Sequence, residues 1–264
     1  DSSAYELIDL AQLKPNGAEI RSIRGNEISM VFQEPMTALS PVLTVGHQIM
    51  EAIVLHQQVS KAEAREIAID MLDRVKMPNP ERIVDSYPFE LSGGMRQRAV
   101  IAMALSCSPS LLIADEPTTA LDVTTEAQIL DLMRSLQADF DMAIMYITHN
   151  LGVIAEMAER VAVMYLGKVV ELAGVETVFF GPKHPYTQGL LKSIPHLDDV
   201  VKVDKADRRL WTITGTVPDP YSRLKGCPFW PRCPEYMPDL CDQDVPQVVE
   251  IEPGHVVACH LYAV

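Results

Sequence analysis

The chain lacks the features that mark a nucleic-acid binder, a membrane-spanning protein or a disulfide-framed secreted domain. Its 22 Lys and Arg are outnumbered by 36 Asp and Glu, for a net charge of −14, so it carries no basic excess with which to neutralise a phosphate backbone. No stretch approaches the about 18 consecutive apolar residues of a spanning helix, so any membrane association is expected to come through a partner. The opening DSSAYELIDL has neither an initiator Met nor a basic stretch followed by an apolar one; that excludes a signal peptide and suggests that a segment precedes Asp1. Cysteine is scarce until late: Cys107 stands alone, then Cys227, Cys233, Cys241 and Cys259 fall in the last 38 residues. Such clustering suits one local site better than bridges spread through a domain.

What is present suffices for folding. Hydrophobic residues make up 48% of 264, enough for a real core and too many for global disorder. Residues 5–32 read as strand-like pieces around Asn16-Gly17 and Gly25-Asn26, ending in ISMVF. Residues 45–77 carry two helical patterns, VGHQIMEAIVLH and AREIAIDMLDRV. SYPFELSGGMRQR opens a further helix that Pro109 ends, and LLIAD is a continuously apolar run suited to a buried parallel strand. VTTEAQILDLMRSLQ then reads as an amphipathic helix, AIMYIT as a second buried strand, and LGVIAEMA as a helix. RVAVMYLGKVVELA reads as a hairpin pivoting on Gly167. This alternation predicts an α/β core with a mostly parallel sheet. Near residue 182 prolines multiply and the rhythm stops, which suggests a main domain over 1–181 and an appendage over 182–264.

Chemistry concentrates in LSGGMRQR at 91–98 and LLIADEPTTALD at 111–122. A Ser-Gly-Gly turn opening a helix exposes amide N–H groups at the positive end of the dipole, and glycines let a phosphate approach the backbone. The LLIAD strand delivers Asp115 to its C-terminal end, where ligands bind in open α/β sheets and where a carboxylate can hold Mg²⁺. Glu116 follows on the other side of the strand and can act on an attacking water. Gln33 after ISMVF and His149 after AIMYIT emerge at the same edge.

In this order these motifs resemble the nucleotide-binding domain of ABC transporters, over roughly residues 20–180, with a P-loop NTPase-like core and a helical signature subdomain. Gln33 matches the Q-loop, Ser92, Gly93, Gly94, Met95, Arg96 and Gln97 the signature motif, LLIADE the Walker B strand, Asp122 the D-loop and His149 the switch. The resemblance implies that two such domains sandwich two ATP molecules, each site joining the P-loop of one subunit to the signature of the other. It assigns Glu116 as general base or water-orienting group, His149 to the γ-phosphate, Gln33 and Asp115 to Mg²⁺ and water, and Ser92, Gly93, Gly94, Met95, Gln97 and Asp122 to nucleotide. The segment after Gln33 would contact the membrane subunits. One part is missing: G-x-x-x-x-G-K-S/T occurs nowhere, and the single Gly-Lys pair, Gly167-Lys168, is followed by Val169. The family carries that loop upstream of the segment resembling residues 5–33. The expectation is therefore a chain lacking its N-terminal segment, or a degenerate subunit supplying only its signature face, with weak or no ATP hydrolysis alone.

The segments GPKHPYTQGLLKSIP and GCPFWPRCP…C…VACH resemble the extension of oligopeptide/dipeptide and nickel importers. This implies a subunit on the cytoplasmic face of the cell membrane that energises peptide import. Its partners would be a second, paralogous ATPase subunit, two membrane permeases and an extracellular substrate-binding protein. Four cysteines spaced C-x5-C-x7-C-x17-C could hold a metal centre tetrahedrally. The family resemblance implies a 4Fe–4S cluster on Cys227, Cys233, Cys241 and Cys259, zinc is the runner-up, and disulfides come last. The alternative function is a non-hydrolysing scaffold or regulatory partner; DNA-repair and translation ATPases lack the HPYT extension. Among residues without a motif, Cys107 reads as a buried small hydrophobe, His184 as a turn contact, the methionines as packing and LDDVVKVDKADRR as a solvated linker.

Overall fold

The computed structural model describes residues 7–33, 38–119, 121–194, 212–219, 221 and 224–263. The chain divides into two units, Asp1–Leu151 and Gly152–Val264, each with its own sheet. The charged stretch 197–209 and the segment just after Gln33 lie outside the described residues.

The first unit is built on three parallel strands in the order β1 (Ile28–Val31), β2 (Leu111–Asp115), β3 (Ala143–Ile147). Leu112 and Ala114 are fully buried, as a continuously apolar central strand requires. The register sets Val31 beside Ala114 and Asp115 beside Ile147, so the strands deliver their C-terminal ends to one edge. β3 departs from the expectation of a second buried strand: Met145 and Ile147 are 46% and 44% exposed. A parallel strand needs a covering layer on both faces, and no described residue seals that side of β3.

The helices follow their caps. α1 (Ala18–Ile23) forms where the sequence reads as strand-like; it runs under two turns, too short to show a repeat. α2 (Val45–His56) starts on Thr44, whose hydroxyl accepts from His47 N–H. α3 (Lys61–Arg74) starts on a reciprocal capping box between Ser60 and Glu63. Val45, Ile49 and Ile53 of α2 and Ala64, Ala68 and Leu72 of α3 are fully buried, each set recurring every fourth residue along one face. After α4 (Pro80–Ile83), α5 (Gly93–Leu105) buries Ala99, Val100, Ile101, Ala102 and Leu105 nearly all round, the mark of an interior helix. α6 (Val123–Phe140) turns Ile129, Leu132, Met133 and Leu136 into the same core. Cys107 is buried there too, its thiol pKa raised by desolvation.

The second unit opens within α7 (Leu151–Met157). β4 (Arg160–Tyr165) and β5 (Lys168–Gly174) form the expected antiparallel hairpin. Leu166 and Gly167, at φ 44° and 76°, make the two-residue left-handed turn that matches strand twist. α8 (Val175–Phe180) and α9 (Pro185–Lys192) come next, and β6 (Val248–Glu252) and β7 (His255–Ala258) complete a sheet ordered β4-β5-β7-β6. β5 pairs with β7 through Glu171↔Val257 and Leu172↔Val256, and Tyr165, Tyr186 and Phe229 pack their rings together at 4.7, 5.2 and 5.4 Å. The residues after 182 share that core, since so Pro-rich a segment has little apolar material for one of its own.

Candidate functional site

Glu116 leaves β2 with φ 43°, a left-handed conformation that costs a non-glycine residue roughly 1–3 kcal/mol and clusters at functional sites. Its amide donates to Ile147 O at 2.8 Å, which fastens the exit of β2 to the end of β3. Three neighbours then converge on its carboxylate. Gln33 Nε2 and Thr119 Oγ1 each donate to Oε2 at 2.8 Å, and His149 Nδ1 stands 2.8 Å from Oε1. Hydrogen bonds from His149, Thr119 and Gln33 hold the Glu116 pKa below its usual value, because each favours the charged form. An ionised carboxylate only accepts, so the proton in the contact sits on Nδ1 of His149. The sequence placed Gln33, Glu116 and His149 at one edge, and the strands bring them together. Thr119 was missed; only its place three residues after Glu116 in DEPTT could have pointed to it. Asp115 ends β2 beside this group, half-buried.

A second feature lies at the start of α5. Ser92 caps it, accepting from Met95 N–H at 3.3 Å. An added Cβ at Gly93 would meet nothing within 4 Å, whereas one at Gly94 would stand 2.8 Å from Thr125 Cγ2. The α5 and α6 N-termini therefore approach as closely as only glycine permits. Asp122 caps α6, taking Thr125 N–H at 3.0 Å and Thr125 Oγ1 at 2.7 Å, and these bonds lower its pKa. Ser92, Gly93, Gly94, Met95, Leu121 and Asp122 share an open cleft of about 350 Å³. It suits a polar, anionic group approaching two helix N-termini. The Gln97 side chain is fully buried, with both amide atoms unpartnered. It is not among the residues that line the cleft.

The late cysteines are free thiols. Cys227 N–H donates to Cys241 O at 2.8 Å. Burial, and beyond it the nearby Cys259, Cys227 and Cys241, push the Cys233 thiol up to about 11. Yet among the described residues no three His, Cys, Asp or Glu side chains form a group able to hold a metal ion. Beside them a different polar centre was not legible in the sequence. Glu171, wholly buried on β5, accepts from the amides of Lys183 and His184 at 2.7 and 3.0 Å and lies 2.8 Å from His255 Nε2. His184 is, as expected, a turn residue: its Nδ1 caps α9 by accepting from Tyr186 N–H.

Residues 6–119 match the family described as ABC transporter, and residues 170–241 the family described as oligopeptide/dipeptide transporter, C-terminal region. A putative peptide import ATP-binding protein of Brucella melitensis is 51% identical over 96% of this chain and 74% of its own length. The oligopeptide transport ATP-binding protein AppD of Bacillus subtilis is 52% identical over 91% of this chain and 71% of its own. Among solved structures, a dimeric ATP-binding cassette in a post-hydrolysis state with ADP and phosphate is similar at a TM-score of 0.54. It is 29% identical, over 62% of this chain and 68% of that one. Among the described residues no helix is long and apolar enough to cross a membrane.

Proposed function

Because the chain belongs to the ABC transporter ATP-binding subunits of the oligopeptide/dipeptide import family, we propose that it energises peptide uptake through ATP hydrolysis at a site shared with a second such subunit. The observation that carries this reading is the Glu116 carboxylate, held ionised by Gln33, Thr119 and His149 where β2 and β3 end. Phosphoryl transfer to water asks mainly for positioning and charge stabilisation. Glu116 would orient the attacking water and take its proton, while the His149 ring, 83% exposed at its side chain, is open to the γ-phosphate. Asp115 and the Gln33 amide oxygen are hard donors that suit Mg²⁺, which favours oxygen and keeps several waters. When bound, that ion neutralises phosphate charge. The Ser92–Met95 turn and Asp122, in their own cleft, would face the nucleotide held by the partner subunit. This fits the separation of the cleft from the Glu116 group, since the two share no residue.

The partners on this reading are a paralogous ATPase subunit, two permeases and an extracellular peptide-binding protein, with the chain peripheral on the cytoplasmic side of the membrane. Residues 1–181 would serve the nucleotide and 182–264 the family-specific extension. With no G-x-x-x-x-G-K-S/T in the sequence, the chain alone would hydrolyse ATP weakly or not at all; tight Mg-ATP binding by the isolated chain would contradict that. The decisive measurement is ATP hydrolysis by the chain assembled with the partner ATPase and permeases in vesicles. Stimulation by peptide-loaded binding protein supports import, and hydrolysis indifferent to it counts against.

A 4Fe–4S cluster on Cys227, Cys233, Cys241 and Cys259 remains the family-based reading for the late thiols, with zinc second. Four thiols fit either centre chemically. Among the described residues no three side chains form a group able to hold a metal ion, and no step of the function is drawn through such a centre. Iron and acid-labile sulfide analysis of anaerobically purified protein separates cluster, zinc and free thiols.

A further inference from the structure

We propose that Glu126, in the first turn of α6, is a positioning residue that anchors the exits of β2 and β3 together and so sets the Glu116–His149 pair. One oxygen does the anchoring. Glu126 Oε1 accepts from Thr118 Oγ1 at 2.9 Å and from Asn150 Nδ2 at 3.4 Å. Thr118 lies two residues after Glu116, and Asn150 follows His149 directly. The same helix turn begins at Asp122, on the cleft with Ser92 and Gly93. A single side chain therefore touches the loop after the Glu116 strand, the loop after the His149 strand, and the helix whose N-terminus lines the cleft.

The need for such an anchor follows from the backbone. Glu116 sits at φ 43°, and a strained residue keeps its conformation only where its surroundings over-determine it. The Glu116 amide bond to Ile147 O fixes one side of the kink; the Thr118 bond to Glu126 fixes the other. On the histidine side, Asn150 N–H donates to Thr148 Oγ1 at 3.0 Å, which turns the chain so that the Asn150 side chain reaches Glu126. Glu126 itself meets neither Glu116 nor His149 in any hydrogen bond of the structure. What the anchor needs is an acceptor oxygen, which glutamine also supplies.

The inference rests on the proposed hydrolytic role of Glu116, and its test has one arm free of that role. In the 264-residue chain with ¹⁵N-labelled histidine, the His149 Nδ1 proton should give the downfield signal of a proton bonded to a carboxylate. Glu126→Ala should abolish that signal while Glu126→Gln keeps it. In the assembled transporter, with a P-loop supplying nucleotide to the Glu116 site, Glu126→Ala should lower kcat about 10- to 100-fold, the scale of an ångström-sized misplacement. KM for ATP should stay within about two-fold, since uniform binding is untouched. Glu126→Gln should restore kcat. An unchanged His149 signal in Glu126→Ala, or a Gln variant as slow as the Ala variant, overturns the inference. A wild-type assembly that does not hydrolyse ATP overturns the proposed function and leaves the spectroscopic arm to decide this one.

Discussion

His149 Nδ1 and Glu116 Oε1 stand 2.8 Å apart although 33 residues separate them in sequence. The pairing follows from the parallel register of β2 and β3, which sets Asp115 against Ile147; Glu116 comes one position past that level and His149 two. Gln33, two positions past β1, joins from the opposite neighbour. Three strand ends converge on one carboxylate, and the expected behaviour of variants follows from what each end supplies.

Glu116→Gln keeps size and hydrogen-bonding shape but removes the base. With a P-loop supplying nucleotide to the Glu116 site of the assembled complex, hydrolysis there should fall about 10²- to 10⁴-fold, the usual contribution of a positioned general base, with nucleotide affinity retained. Because hydrogen bonds from His149, Thr119 and Gln33 lower the Glu116 pKa, the acid limb that this group sets should lie below the ordinary glutamate value. Thr119→Val should move that limb upward. A pH–rate profile of both proteins checks the pair of statements.

Gly93 and Gly94 should respond oppositely to the same substitution. A methyl on Gly94 would press on Thr125 Cγ2 at 2.8 Å, and such overpacking costs about 1–3 kcal/mol. Gly94→Ala should therefore lower the melting temperature. A methyl on Gly93 meets nothing within 4 Å, so stability should hold within about 0.5 kcal/mol. Gly93→Ala should still depress ATP hydrolysis in the assembled complex, because that methyl would stand in the cleft. Thermal melts beside ATPase rates separate the two glycines.

Glu171→Ala should be among the most damaging substitutions in the second unit. It strips the partner from buried His255 and leaves the Lys183 and His184 amides without their acceptor. Leaving buried hydrogen-bonding groups without their partner typically costs about 1–3 kcal/mol each. Urea denaturation of wild type and variant gives the difference directly.

His184 gives the unit a pH dependence. Burial lowers its pKa from 6.5 to about 4, with Glu171 working weakly the other way. Between those values the unfolded chain binds the proton and the folded chain does not. This contribution is therefore complete above about pH 6.5 and is lost as the pH falls toward 4. At about 1.4 kcal/mol per pKa unit, it amounts to about 3 kcal/mol. Denaturation midpoints at pH 7 and pH 5 should differ in that direction, and His184→Asn should flatten the difference.

How much of this was legible in the sequence depended on whether neighbours in space were also neighbours in a motif. LLIADE, LSGGMRQR and the residue after each apolar strand announced β2, the α5 N-terminus, Gln33, Glu116 and His149. The Leu166–Gly167 turn was equally plain, because its partners are adjacent. The burial of Gln97 was not legible, since a motif gives spacing and not the inward or outward face of a helix. β3 was read as buried because apolar composition says what a strand would bury, not whether a layer covers it. The Glu171–His255 pair joins residues 84 apart, with no local pattern to signal it.

The placement of β7 beside β5 has a kinetic consequence. The β4–β5 hairpin needs only local contacts and can form within microseconds, yet its open edge is paired in the finished sheet by residues about eighty positions later. Closing so long a loop has an entropic cost that grows with its length, and non-local strand pairing is slow. During that interval β5 presents unpaired backbone groups, a template for the wrong strand. Refolding of the second unit should therefore be the slow and concentration-sensitive phase, with misassembly at β5 its characteristic failure.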